Sequence, residues 1–193
     1  MKIIRLSEEN NPNSQTVAKI YSLQDFIHSM PDIKQQGWNV ISLRDTPQGS
    51  SPDYQALYKR IDGQGFHNIY VATFDDLEID DVNVIAAKPY MVIPSMSAIQ
   101  SILDWAKHKW EENRKPFAVH CTGGISRSSA IAVLIGKMLT NSYAGIFNPQ
   151  YHSPNNTILD YGGHYLGDEN LRDELTEKVK TWDKEHPFGF EKI

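Results

Sequence analysis

The chain has 193 residues, 40% of them apolar and 22% charged, with a net charge of −5 and a pI near 5.8. That length fits one domain over residues 1–193 with a sizeable core, and the composition is that of a soluble globular protein. The acidic balance excludes a general affinity for nucleic acid or acidic membranes, and a single cysteine excludes an internal disulfide.

In chain order, residues 2–6 and 16–20 read as short strands around a polar turn at 8–14. The apolar stretch at the N-terminus is too short for a signal peptide or membrane anchor, so the cytoplasm is the expected location. Ser22 is placed to cap a helix running through Met30. Residues 38–43 read as a core strand, followed by a loop rich in Pro, Gly and Ser at 46–53 and a helical segment at 54–61. A further strand is expected at 68–74, then irregular chain to Pro94. Ser95 or Ser97 opens a helix to about Asn113, with Met96, Ile99, Ile102, Leu103, Ala106 and Trp110 on one apolar stripe that marks core packing. Residues 117–120 read as a buried strand and 128–140 as a buried helix. Residues 141–163 read as loop-rich, and 168–185 as a terminal amphipathic helix. Strands alternating with helices predict an α/β sandwich, a central sheet flanked by helices.

The most informative segment lies on the junction between the 117–120 strand and the 128–140 helix. Cys121 and Arg127 are separated by five residues, two of them glycine. A strand–loop–helix junction aims backbone N–H groups and the positive end of the helix dipole at the loop centre. Gly123 and Gly124 let the backbone approach an anion, and Arg127 supplies a bidentate fork. The same donors favour a thiolate at Cys121 at neutral pH, loop amides first and Arg127 second. His120 is expected to tighten the loop through its ring nitrogens, and Ser128 to donate a hydrogen bond to the sulfur. Arg44 and Asp45, just past the 38–43 strand, either orient this loop or simply end the strand.

The run His120-Cys121-Thr122-Gly123-Gly124-Ile125-Ser126-Arg127-Ser128 resembles the signature loop of cysteine-dependent protein tyrosine phosphatases, especially the compact dual-specificity type. A weaker likeness extends over about 38–140, and 148–167 resembles the tail of small bacterial phosphatase-like proteins. The resemblance implies a phosphatase-like fold and a two-step hydrolysis through a thiophosphoryl group on Cys121, with residues 122–127 binding phosphate. It implies a phosphorylated protein or small phosphomonoester as partner, and no metal or cofactor. It also implies a general acid from an aspartate upstream. Asp76 is the first choice and Asp75 the second, because both fall at the end of the 68–74 strand, with Asp80 and Asp81 in reserve.

The interval from Asp76 to Cys121 is longer than usual for compact enzymes, which suggests extra residues around 82–94. An acidic cluster is also what a solvated loop looks like, so a phosphopeptide-binding relative without activity stands as the alternative. Sulfur transfer and arsenate reduction fit less well: the former generally uses a loop one residue shorter, and the latter needs further cysteines. The loop interior carries no lysine or arginine, which disfavours phosphoinositide and RNA-triphosphate substrates. His152, Asp160 and His164 match no common metal-ligand spacing. The tyrosines at 143, 151, 161 and 165 are expected to pack against the nearby helix.

Overall fold

A computed structural model describes residues 16–187; the expected strand at 2–6 and turn at 8–14 lie outside the described residues. Four parallel strands form the sheet: β1 (Ala18–Tyr21), β2 (Asn39–Arg44), β3 (Ile69–Thr73) and β4 (Phe117–His120), in the order β1-β4-β2-β3. Ala18 and Asn39 both stand opposite Phe117, so the first residue of β4 is in register with both neighbours. Every residue of β4 is buried, as expected for an inner strand of a parallel sheet covered on both faces.

The pleat of β4 divides the core. Phe117 and Val119 face one layer with Ile41 and Leu43, while Ala118 faces the other with Val40. The first layer is built by α4 (Met96–Asn113), α5 (Arg127–Thr140), α6 (Asn156–Leu166) and α7 (Leu171–Glu185). The second comprises α1 (Leu23–Gln36) and α2 (Pro52–Asp62), which contribute Leu23, Phe26, Ile33, Tyr58 and Ile61. The expected α/β sandwich is therefore what the chain forms. Among the described residues no helix is long and apolar enough to cross a membrane.

Several elements depart from the sequence reading. The helix opened by Ser22 does not stop at Met30; it runs through Pro31 to Gln36, where Gly37 (φ 66°) closes it by donating to the carbonyls of Ile33 and Lys34. Proline removes one helical N–H and crowds the preceding turn. Burial of Ile33 against the sheet and the glycine cap outweigh that local cost. Within the expected irregular stretch before Pro94, a short helix, α3, spans Val82–Ala87. Met96 opens α4 but is 40% exposed, so the apolar stripe begins at Ile99.

The largest correction is α6, which occupies chain that reads as loop in the sequence. Its two glycines are packing positions rather than turn signals. A Cβ on Gly162 would lie 2.2 Å from Leu134 Cδ1, and one on Gly163 would lie 2.7 Å from the Asp168 carbonyl oxygen. Helix α6 thus approaches α5 as closely as its backbone allows. Tyr143, Tyr161 and Tyr165 pack against this layer, as expected, whereas Tyr151 is exposed.

Candidate active site

The loop leaves β4 at its carboxyl end, turns at Cys121, and re-enters regular structure as α5 at Arg127. The turn closes on the cysteine. Gly124 donates its backbone N–H to Cys121 Sγ at 3.3 Å, and Ser128 Oγ lies 3.2 Å from the same sulfur. Both contacts fix the sulfur at the centre of the turn. Gly124 has φ 74°, and a Cβ there would sit 2.6 Å from the Ser22 backbone nitrogen. Only glycine permits both the left-handed backbone and the close approach. Thr122 fastens the loop to the N-terminus of α1 by accepting from the Leu23 N–H at 3.2 Å. Ser129 Oγ donates back to the Ile125 and Ser126 carbonyls at 2.5 and 2.8 Å, holding the far side of the turn.

Arg127 is 2% exposed and braced from behind. Nη1 donates to the Phe74 carbonyl at 2.7 Å, and Nη2 lies 2.7 Å from Asp45 Oδ1 and 3.4 Å from Thr122 Oγ1. Its Nε has no hydrogen-bond partner among the described residues and stands 4.0 Å from Asp76 Oδ2. Burial works to lower the guanidinium pKa, but electrostatic interaction with Cys121 first, then Asp45 and Asp76, outweighs burial and pushes it up. Arg127 is a permanent cation with one buried donor to spare.

Asp45 orients the loop: besides Arg127 it accepts from Thr122 Oγ1 at 2.5 Å and from Tyr58 OH at 3.4 Å. Tyr58 OH also lies 3.1 Å from Thr122 Oγ1. Burial is the main cause of its raised pKa, which keeps the phenol protonated. The side chain of Thr122 therefore points into this network, leaving the loop amides to meet a ligand. Arg44 makes a bidentate pair with Asp62 at 2.6 and 3.0 Å, away from the loop.

The two candidate acids separate cleanly. Asp75 is 1% exposed, and its carboxylate accepts from the Thr46 N–H and hydroxyl and from the Val92 N–H. It ties the 46–49 loop to the chain before α4, and no edge of it is free for proton transfer. Asp76 points toward the 121–127 loop: its Oδ1 accepts from Ser126 Oγ at 2.7 Å and from Asn155 Nδ2 at 3.1 Å. The reserve residue Asp81 caps its own turn by accepting from the Glu78 N–H at 2.8 Å.

His120 does not tighten the loop. The alternation of β4 turns it to the α1 side, where it stacks on Phe26 with ring centroids 4.2 Å apart, and neither ring nitrogen has a partner of ordinary hydrogen-bond geometry. Burial first, then the charges of Arg44 and Arg127, lower its pKa from 6.5 to about 3, against a small opposing pull from the Cys121 backbone. The folded chain therefore holds a neutral ring that the unfolded chain would protonate. Stability should fall as pH drops from about 6.5, by roughly 1.4 kcal/mol per unit from this residue. Urea midpoints at pH 7 and pH 5 should show the wild type losing about 2 kcal/mol more than His120→Phe over that interval. An equal loss in both would refute this assignment. His152, which burial lowers to about 4, acts in the same direction in both proteins.

Sequence reasoning singles out neither Asn155 nor Tyr58. The signal for Asn155 is present in the run Asn155-Asn156-Thr157-Ile158-Leu159, an N-cap before an apolar stretch, although the surrounding chain reads as loop. Among the described residues no cluster of three or more His, Cys, Asp or Glu side chains is placed to hold a metal ion. The assembled geometry is a turn closed on one sulfur, with a buried cation and an aspartate at its edge. Chemically, that arrangement can receive a tetrahedral oxyanion and present a nucleophile to its centre.

No protein-family model matches the chain, and no curated protein matches it. Several solved structures are similar. Tk-PTP in its active form aligns over 86% of this chain and 93% of its own, at 11% identity and a TM-score of 0.41. PTPMT1 aligns over 86% and 93%, at 11% identity and a TM-score of 0.47. DUSP15 aligns over 85% and 93%, at 13% identity and a TM-score of 0.46. All three alignments cover most of both chains at low identity.

Proposed function

We propose that this chain is a phosphomonoester hydrolase, a protein-tyrosine or dual-specificity phosphatase, acting through Cys121. The observation that carries the reading is the buried Arg127 Nε, a cationic donor without a partner among the described residues, on the same loop as a sulfur that receives the Gly124 N–H and lies 3.2 Å from the Ser128 hydroxyl. A buried donor left unmatched is costly, and a phosphoryl oxygen is an acceptor of the right charge. Ile125, exposed on the loop, offers apolar contact to an aromatic leaving group such as phosphotyrosine.

In the first step the Cys121 sulfur attacks phosphorus in line with the leaving oxygen. The S–P bond forms as the P–O bond breaks, and Asp76 passes its proton to the departing oxygen. Loop amides and Arg127 hold the three equatorial oxygens as charge spreads over them. In the second step water attacks phosphorus, Asp76 takes the proton from that water, and the S–P bond breaks. Ser128 Oγ, 3.2 Å from the sulfur, stabilises the departing thiolate.

Purified protein assayed on p-nitrophenyl phosphate and on phosphotyrosyl and phosphoseryl peptides tests this reading. Turnover of the aryl ester and of the phosphotyrosyl peptide, absent in Cys121→Ser, is expected. Peptide binding without turnover would instead identify an inactive phosphopeptide-binding module. Absence of both would end the phosphatase reading.

A further inference from the structure

We propose that Asn155, the N-cap of α6, is a positioning residue that holds the proton donor Asp76 by one carboxylate oxygen and turns the other toward the reacting atoms. The proposal rests on the phosphatase reading above and concerns how its acid is held.

Asn155 is 1% exposed, and its polar groups are committed in four directions. Nδ2 donates to Asp76 Oδ1 at 3.1 Å and to the Leu77 carbonyl at 3.2 Å. Oδ1 accepts from the Ile158 N–H at 3.1 Å, which caps α6. Its backbone N–H donates to the Ser126 carbonyl at 3.3 Å, on the catalytic loop itself. One residue therefore joins the acid, the chain after the acid, the phosphate loop and a helix that is packed against α5 through Gly162. The side-chain amide has two donors and an acceptor, and this geometry uses all three functions.

The consequence for Asp76 is directional. Oδ1 accepts from both Asn155 Nδ2 and Ser126 Oγ, so its lone pairs are occupied. A proton on this carboxyl group then sits on Oδ2, the oxygen that faces Arg127 Nε at 4.0 Å and so borders the space of the reacting phosphoryl group. The chain following Asp76 is tied to the same helix start. Glu78 accepts from the Asn156 N–H and Nδ2 at 3.0 and 3.1 Å, and the Ile79 N–H donates to Thr157 Oγ1 at 2.8 Å. Many enzymes bring such a loop into place by closure on substrate. Here residues 76–79 are already laced to residues 155–157, so the acid is preset by α6.

The test compares wild type, Asn155→Ser, Asp76→Asn and the double variant on phenyl phosphate, a poor leaving group, and p-nitrophenyl phosphate, a good one. Serine retains an oxygen to cap α6 but cannot reach Asp76. Asn155→Ser should lose at least about tenfold more kcat on phenyl phosphate than on p-nitrophenyl phosphate, with KM unchanged, because proton donation matters most for the poor leaving group. In the Asp76→Asn background the same substitution should cause no further split. Asn155→Thr, which also keeps a capping hydroxyl and fills more of the site, should reproduce the pattern if the serine variant proves unstable.

Equal losses on both esters, additive losses in the double variant, or an Asp76→Asn protein without the leaving-group split would each overturn the inference while leaving the phosphatase reading intact. A wild type that hydrolyses neither ester would overturn both.

Discussion

Cys121→Ser should lose at least about four orders of magnitude in kcat on p-nitrophenyl phosphate, yet bind inorganic phosphate at least as well as the wild type. The size of the loss follows from removing the group that forms the covalent bond: a neutral hydroxyl replaces a sulfur nucleophile, and losing a nucleophile outright costs about this much or more in other hydrolases. The binding result follows from charge. In the proposed mechanism Cys121 attacks as a thiolate, and that charge would repel an incoming phosphate dianion. Serine removes the repulsion and leaves the Gly124 amide and Arg127 in place. Steady-state kinetics paired with calorimetric titration of phosphate reads both effects. A variant retaining a tenth of the activity would rule out covalent catalysis by Cys121, and loss of phosphate binding would show that the cradle depends on the sulfur.

Arg127→Lys should lower kcat by about a hundredfold to a thousandfold, the cost of removing one preorganised donor from developing charge. Lysine preserves the positive charge but not the planar fork. In the wild type two nitrogens of that fork are held by the protein and the third is not. Nη1 is held by the Phe74 carbonyl and Nη2 by Asp45 and Thr122, while Nε has no hydrogen-bond partner among the described residues and is the donor proposed to meet phosphate. A single ammonium cannot brace against two elements and also reach a third acceptor. The inhibition constant for phosphate should weaken with kcat, since both ground and transition states use the same donor. Loss of less than tenfold would show that charge alone suffices and that the bracing by Asp45 is incidental.

The loop from Cys121 to Arg127 is legible in the sequence because its parts are contiguous. Cys121, Gly124, Arg127 and Ser128 lie within eight residues, so spacing and chain stiffness already decide that their groups converge. The end of β3 likewise places Asp75 and Asp76 near the mouth, but alternation along one strand cannot rank them. Their difference lies in what the tertiary structure packs beside each. The Thr46 and Val92 amides surround Asp75, whereas Ser126 and Asn155 meet Asp76. His120 misleads for a related reason. It is adjacent to Cys121 in the chain, yet the pleat of β4 turns it to the opposite layer, onto Phe26.

The region around α6 is the least legible. Local chemistry in Gly162-Gly163 says turn, and only the proximity of Leu134 and the Asp168 carbonyl shows why glycine is required inside a helix there. The same holds for Pro31, where a local stop signal yields to burial of the residues after it.

Taken alone, the order of amino acids determined the chemistry: a sulfur, a cation and a glycine turn, bound to converge by covalent spacing on a strand-to-helix junction. The tertiary structure decided which groups hold that chemistry in place. Asp45 meets Thr122 across 77 positions of chain and Asn155 meets Asp76 across 79, contacts that no local propensity encodes. They exist because the sheet order brings the ends of β2 and β4 side by side, and because α6 can lie against α5 only where its side chains vanish.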